Sequence, residues 1–127
     1  YYLLVQIFSS GKLLLQSGYY NELMSNLDID TFLQRSILEF MENNSHITAK
    51  EIICDELLFK TFNVLKDSNL LNKQFKCLVP KRGDKIILLN SALKNAQLSL
   101  KRITKEYFFS NSLKLFEISC FAIKLKI

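Results

Sequence analysis

Glycine, proline and histidine are nearly missing: the 127 residues hold three, one and one of them. Their scarcity excludes collagen-like and low-complexity sequence. No apolar run reaches the roughly 20 residues that span a bilayer. The longest, LKLFEISCFAIKLKI, is broken by charges. The opening Tyr1-Tyr2-Leu3-Leu4-Val5 lacks an initiator Met and the basic start of a signal peptide, and it reads like the middle of a strand. The expectation is a segment of a longer protein or the product of a broken gene. Three separated cysteines (Cys54, Cys77, Cys120) and the single His46 do not supply the paired ligand spacing of structural zinc. Each cysteine lies in an apolar run and reads as a reduced, buried, intracellular thiol. No G-x-S-x-G and no Cys with a nearby His supports nucleophilic catalysis. His46 reads as an exposed loop residue.

Acidic residues are missing from one half only. Residues 1–70 carry five Lys/Arg against nine Asp/Glu, whereas residues 71–127 carry twelve against three. A basic half on an acidic half suits a surface that faces a polyanion. The apolar fraction of 49% and charged fraction of 23% are those of an ordinary globular chain, and the length suggests one domain.

Residues 1–20 predict a β-hairpin, with YYLLVQIF and KLLLQSGYY flanking Ser9-Ser10-Gly11-Lys12. Asp30 is the expected N-cap of a helix over 31–43, with Leu33, Ile37, Phe40 and Met41 on one face. Asp28 and Asp30 fit capping better than metal binding. Lys50 to Cys54 reads as a buried strand, and Asp55 caps a helix over 56–67 carrying Leu58, Phe62 and Leu65 on one side. Asp55-Glu56, following a buried strand, is weak evidence of a site. Lys73 to Val79 reads as the next strand, completing a βαβ unit with a parallel strand pair. Asp84 to Tyr107 predicts a long helix whose apolar stripe is Ile86, Leu89, Leu93, Ala96, Leu100, Ile103 and Tyr107. Residues 113–127 have the composition of a final strand. The fold class is α/β (α+β): a single mixed sheet with an N-terminal hairpin, a βαβ unit and a long amphipathic helix.

The most informative stretch is Val79-Pro80-Lys81-Arg82-Gly83-Asp84-Lys85. Three cations surround a glycine directly before a helix, where backbone N–H groups and the helix dipole favour an anion. A solvated turn, with Pro stopping the strand and Asp84 capping the helix, is the plainer reading. Lys94, Lys101, Arg102 and Lys105 on the next helix can track a nucleic-acid backbone, although any surface helix also needs charges opposite its apolar stripe. Tyr107, Phe108 and Phe109 suit core packing better than base stacking. What favours a site is that turn and helix adjoin and hold few acids.

The run VPKRGDKIILLNSALKNAQLSL resembles a segment of the UvrC family, a component of the bacterial excinuclease ABC. In that family a strand ends in a Pro-basic-Gly-acid-Lys turn and leads into a helix with an Asn-Ala pair, here Asn95-Ala96. The upstream order also resembles the family: a hairpin around Gly11-Lys12, a helix with Phe40 near its end, then Glu51-Ile52-Ile53. The resemblance covers about residues 3–105. It implies the N-terminal region of an RNase H-like fold and a role in nucleotide excision repair and the SOS response. The implied partners are damaged duplex DNA, UvrA and UvrB, in the cytoplasm, with no membrane and no small-molecule substrate. It also implies a DNA endonuclease that uses Mg²⁺ or Mn²⁺, with a metal-binding Asp in a strand resembling I-E-C-F-D-I-S. In one register Ile118 to Lys124 matches that strand and puts Ala122 at the Asp position. In a second, Phe116 to Ser119 matches and puts Glu117 there; the first keeps more identities. Either way this chain holds no complete catalytic site or cofactor, and the expectation is DNA-backbone binding and scaffolding through Lys81, Arg82, Lys85, Lys94, Lys101, Arg102 and Lys105. A protein-interaction module offering a sheet edge or an acidic face (Glu22, Asp28, Asp30, Glu39, Glu42) is the rival, and a degenerate inactive product the third possibility. An exposed sheet edge would make the chain prone to aggregate.

Overall fold

A computed structural model describes residues 1–9, 12–20, 28–71, 75–107 and 118–125, with backbone only at 103–107, 118 and 125. Gly11, Glu22, Phe108, Phe109 and Glu117 lie outside these residues, as do the side chains of Ile103, Lys105 and Tyr107.

The apolar runs of the first 20 residues form β1 (Tyr2–Ser9) and β2 (Lys12–Tyr20), paired antiparallel. Gly18 lets the two approach closely: a Cβ there would sit 2.7 Å from the hydroxyl oxygen of Tyr2. Helix α1 (Ile29–Asn43) begins two residues earlier than the sequence predicts. Asp28, not Asp30, is the N-cap, and its carboxylate accepts a bond from the Thr31 N–H at 2.7 Å. The earlier start brings Ile29 onto the core-facing side with Phe32, Leu33, Ile37 and Phe40.

Next come β3 (Ala49–Ile53), α2 (Glu56–Asp67) and β4 (Lys76–Leu78), with β3 and β4 parallel as the strand–helix–strand order requires. Asp55 caps α2, accepting from the Leu58 N–H at 2.9 Å. Leu58, Phe62 and Leu65 are fully buried. Strand β4 is three residues long, shorter than the 73–79 expected. Helix α3 (Asp84–Tyr107) precedes β5 (Ile118–Leu125).

The five strands form one sheet in the order β2-β1-β5-β3-β4. Strand β5 runs parallel to β1 and antiparallel to β3, so it joins the hairpin to the βαβ unit. Alternation along the strands sends Leu3, Val5, Ile7, Ile52, Phe121 and Ile123 toward α1 and α2. There the Phe121 ring meets Phe62 and Phe40 edge-on, with centroids 5.1 and 6.4 Å apart. The other face sends Tyr2, Leu4, Phe8, Cys120, Ala122 and Ile53 toward α3.

The outer strand β2 is different. Leu13, Leu14 and Leu15 are 44%, 58% and 47% exposed, so this edge presents apolar side chains that the described residues leave uncovered.

Candidate nucleic-acid interface

Beyond β4, Val79 and Pro80 end the strand and Gly83 turns the chain with φ of 85°, a left-handed conformation that glycine adopts without strain. Lys81 and Arg82 stand exposed on this turn. Asp84 is the first residue of α3 rather than its cap, and its carboxylate lies by the positive end of the helix dipole. Lys85 lies apart from the other two cations of the turn. Its ammonium is 3.2 Å from the Glu51 carboxylate on β3, with side-chain exposures of 41% and 16%. Lys85 therefore fastens the start of α3 to the sheet, with its charge offset by a neighbour.

The face of α3 that meets the sheet is narrower and smaller than the sequence predicts. Ala92, Ala96 and Leu100 are buried, with Leu88 and Leu89 partly so. Leu93, expected in the stripe, is 37% exposed. Alanine wins over leucine at the centre because small side chains let the helix lie close to the β1–β5 pair. That closeness brings one polar bridge within reach. Gln6, fully buried on β1, donates its Nε2 to the Ala92 carbonyl at 2.9 Å, and its Oε1 accepts from Asn95 Nδ2 at 2.9 Å. The amide has partners at both ends, as a buried polar group must. The Asn-Ala pair at 95–96 thus has a structural job, one residue bonding to the sheet and the next packing on it.

The opposite side of α3 carries Lys94, Lys101 and Arg102, all exposed, together with Ile87 and Leu98 at 63% and 49%. Ile87, Lys94, Leu98 and Lys101 follow helical spacing along one outward ridge. With Lys81 and Arg82 at its head, the basic track from 84 to 102 extends about 27 Å, from 1.5 Å per residue. That length matches about eight base pairs of duplex at 3.4 Å each. Lys105 continues the sequence pattern outside the described side chains.

Ala122, at one register's catalytic position, is fully buried between Gln6 of β1 and Ile53 of β3 and packs with Phe8, Ile53, Leu88 and Leu89. Among the described residues no three His, Cys, Asp or Glu side chains converge as a metal site would need. The described residues do not fit a Mg²⁺ or Mn²⁺ centre. Asp55 is engaged as a helix cap, and His46 is exposed in the turn after α1.

The cysteines correct one expectation and add a feature. Cys54 and Cys120 are buried, but Cys77 is only partly so. Cys54 and Cys77, 23 positions apart in sequence, lie with their sulfurs 3.4 Å apart. Sequence spacing gave no sign of this pair, nor of Gln6 with Asn95 or Lys85 with Glu51. Each joins elements whose adjacency depends on the sheet order.

Comparison with known proteins agrees with this architecture. The family described as UvrC Ribonuclease H-like domain matches residues 2–103, from β1 through most of α3. The UvrABC system protein C of Helicobacter pylori (strain Shi470) is 22% identical over 130 residues, covering 98% of this chain and 22% of its own length. Those of Prochlorococcus marinus subsp. pastoris and Prochlorococcus marinus (strain MIT 9312) are 33% and 37% identical, each over 78% of this chain and 16% of their own length. The chain therefore spans about a fifth of the length of the curated relatives it matches. No solved structure gives a significant match. No described helix is long and apolar enough to cross a membrane.

Proposed function

The chain belongs to the UvrC Ribonuclease H-like domain family, and from that membership we propose that it serves nucleotide excision repair by holding the DNA backbone rather than by cutting it. The observation that carries this reading is the exposed basic track of Lys81, Arg82, Lys94, Lys101 and Arg102 along the turn and outer ridge of α3. Lys85 stands at the head of the track with its charge offset by Glu51, and Lys105 belongs to the set by its place in the sequence. Cations spaced along one rigid helix contact phosphates without reading bases, which suits a protein that must accept any sequence around a lesion. On this reading the ligand is duplex DNA, the partners are UvrA and UvrB, and the compartment is the cytoplasm. Metal-dependent incision belongs to carboxylates that the described residues do not assemble.

Fluorescence anisotropy with duplex DNA across a salt series tests the proposal. Five phosphate contacts give a slope of log affinity on log salt near −4.5, from about −0.9 per contact. The double reversal Lys81→Glu/Arg82→Glu should flatten the slope by about 2 and weaken binding at least tenfold. Lys85→Glu should act less on the slope than either reversal alone. Absence of binding at low salt, or a double variant that binds like the parent, would overturn the reading.

The exposed leucines of β2 favour a second reading, in which the chain presents a sheet edge to another protein of a repair complex. Retention of repair proteins on immobilised chain, lost on Leu14→Lys, together with no DNA affinity, is the outcome that would select it.

A further inference from the structure

We infer that Cys54 and Cys77 form a reversible intramolecular disulfide, made by exchange with an anionic low-molecular-weight disulfide that reaches Cys77 through an adjoining cleft. The geometry begins with register. Ile52 of β3 lies opposite Cys77 of β4, so Cys54, two residues on, projects to the same side of the sheet. The Cys54 N–H donates to the Leu78 carbonyl at 3.0 Å and holds the end of β3 against β4. The two sulfurs meet at 3.4 Å, and rotation of the side chains takes them toward the covalent distance of about 2.05 Å.

The two thiols are unequal. Cys54 is fully buried, whereas Cys77 lines a cleft of about 470 Å³ with Glu56, Phe59, Lys60 and Lys81. Two lysines at one cleft attract the carboxylates of a small anionic disulfide such as oxidised glutathione, in spite of Glu56 beside them. The hydrogen bond from Cys54 drives the Cys77 thiol toward its thiolate, and the Lys66 charge helps, while burial opposes. Lys66 is fixed nearby, donating to the Phe75 carbonyl at 3.1 Å with its ammonium 4.2 Å from the centre of the Phe75 ring. The same hydrogen bond, with burial and the charge on Cys77, pushes the Cys54 thiol up. Cys77, the sulfur that reaches the cleft, is thus the one that attacks first, and the enclosed Cys54 follows. Cys120 lies on the α3 side of the sheet, pushed up to about 12 by burial and by Asp55, and stands outside the exchange.

In the first step the Cys77 thiolate attacks one sulfur of the small disulfide. The Cys77–sulfur bond forms, the original S–S bond breaks, and one small thiolate departs. Cys77 then bears no negative charge, which removes one influence that holds the proton on Cys54. Cys54 gives that proton to the departing thiolate and attacks Cys77 Sγ. The Cys54–Cys77 bond forms and the second small thiolate leaves, taking from solvent the proton that Cys77 released on ionising. Two protein thiols are oxidised by two electrons, and the small disulfide is reduced to two thiols. Reduction by a dithiol reverses both steps.

This thiol chemistry shares Lys81 with the basic track, but it proceeds and is tested without DNA. Its test is incubation of the chain with oxidised glutathione under native conditions, followed by thiol counting and peptide mapping by mass spectrometry. Two of the three thiols should disappear, with residues 54 and 77 in one cross-linked peptide pair that dithiothreitol separates. Cys54→Ser should stop at a stable glutathione adduct on Cys77. Cys77→Ser, at a partly exposed position, should leave both remaining thiols unmodified. Three intact thiols in the parent chain, a lasting adduct on Cys77 with Cys54 still free, or modification of Cys120 in place of the pair would each overturn it. The parent map decides even where Cys54→Ser fails to fold.

Discussion

Ala122 shows how one side chain decides what a strand can do. It sits at the centre of the sheet, closed in by Phe8 and Ile53 and roofed by Leu88 and Leu89 of α3. A carboxylate in that space is buried among apolar side chains, so its charged form is disfavoured. Ala122→Asp should therefore destabilise the fold by about 4 kcal/mol at neutral pH, from a carboxyl pushed up by some three units. It should not create incision activity. Urea unfolding measures this, and a loss below about 1 kcal/mol would mean that the roof over Ala122 opens readily. The sequence offered two registers for this strand against the family pattern, one of them with Ala122 at the acidic position. The enclosure of Ala122 was not legible there, since enclosure requires knowing that α3 crosses this part of the sheet. Gln6 is similar: a lone glutamine in an apolar run gives no hint of its partner Asn95, 89 residues later.

Among the elements, α1 and α3 show what periodicity can and cannot decide. Asp28 and Asp30 are equally good capping residues, and the choice falls to Asp28 because Ile29 then joins Leu33 and Ile37 at four-residue steps on the core side. The Asp28 carboxyl is held below its ordinary value of 3.8 by hydrogen bonds from the Thr31 backbone and side chain. A lowered folded-state value means that the charged cap stabilises fully above 3.8 and fades as pH falls through the lowered value. Asp28→Asn, an uncharged cap, should lose less stability than the parent between neutral pH and a pH well below 3.8. Equal losses in urea unfolding would place the cap elsewhere. In α3, length and direction were legible because 24 residues follow one helical rhythm. Leu89, Ala96 and Leu100 lie on the sheet side as the stripe predicts, but Ala92 takes the place expected of Leu93, because an alanine carries a weaker apolar signal than leucine while fitting the sheet more closely.

For the whole molecule, local order in the sequence was enough to read the hairpin and the parallel βαβ pair, whose partners are near neighbours. The position of β5 was not readable. A terminal apolar run joins an edge or the middle of a sheet with the same composition, and only the faces offered by β1 and β3 select the middle. Those two strands have no pairing with each other, so β5 supplies the continuity between them. Deleting 118–127 should abolish cooperative unfolding, because an isolated hairpin and a short βαβ unit are each marginal in water. A single sharp urea transition in the shortened chain would refute that dependence.

A sheet whose middle strand is the last described in the sequence also sets a timetable. Translation at about 5–20 residues per second delivers the hairpin several seconds before β5. Throughout that interval the edges of β1 and β3 that receive β5 have no strand to pair with. Until β5 is made, those two edges offer unpaired N–H and C=O groups to any other extended chain.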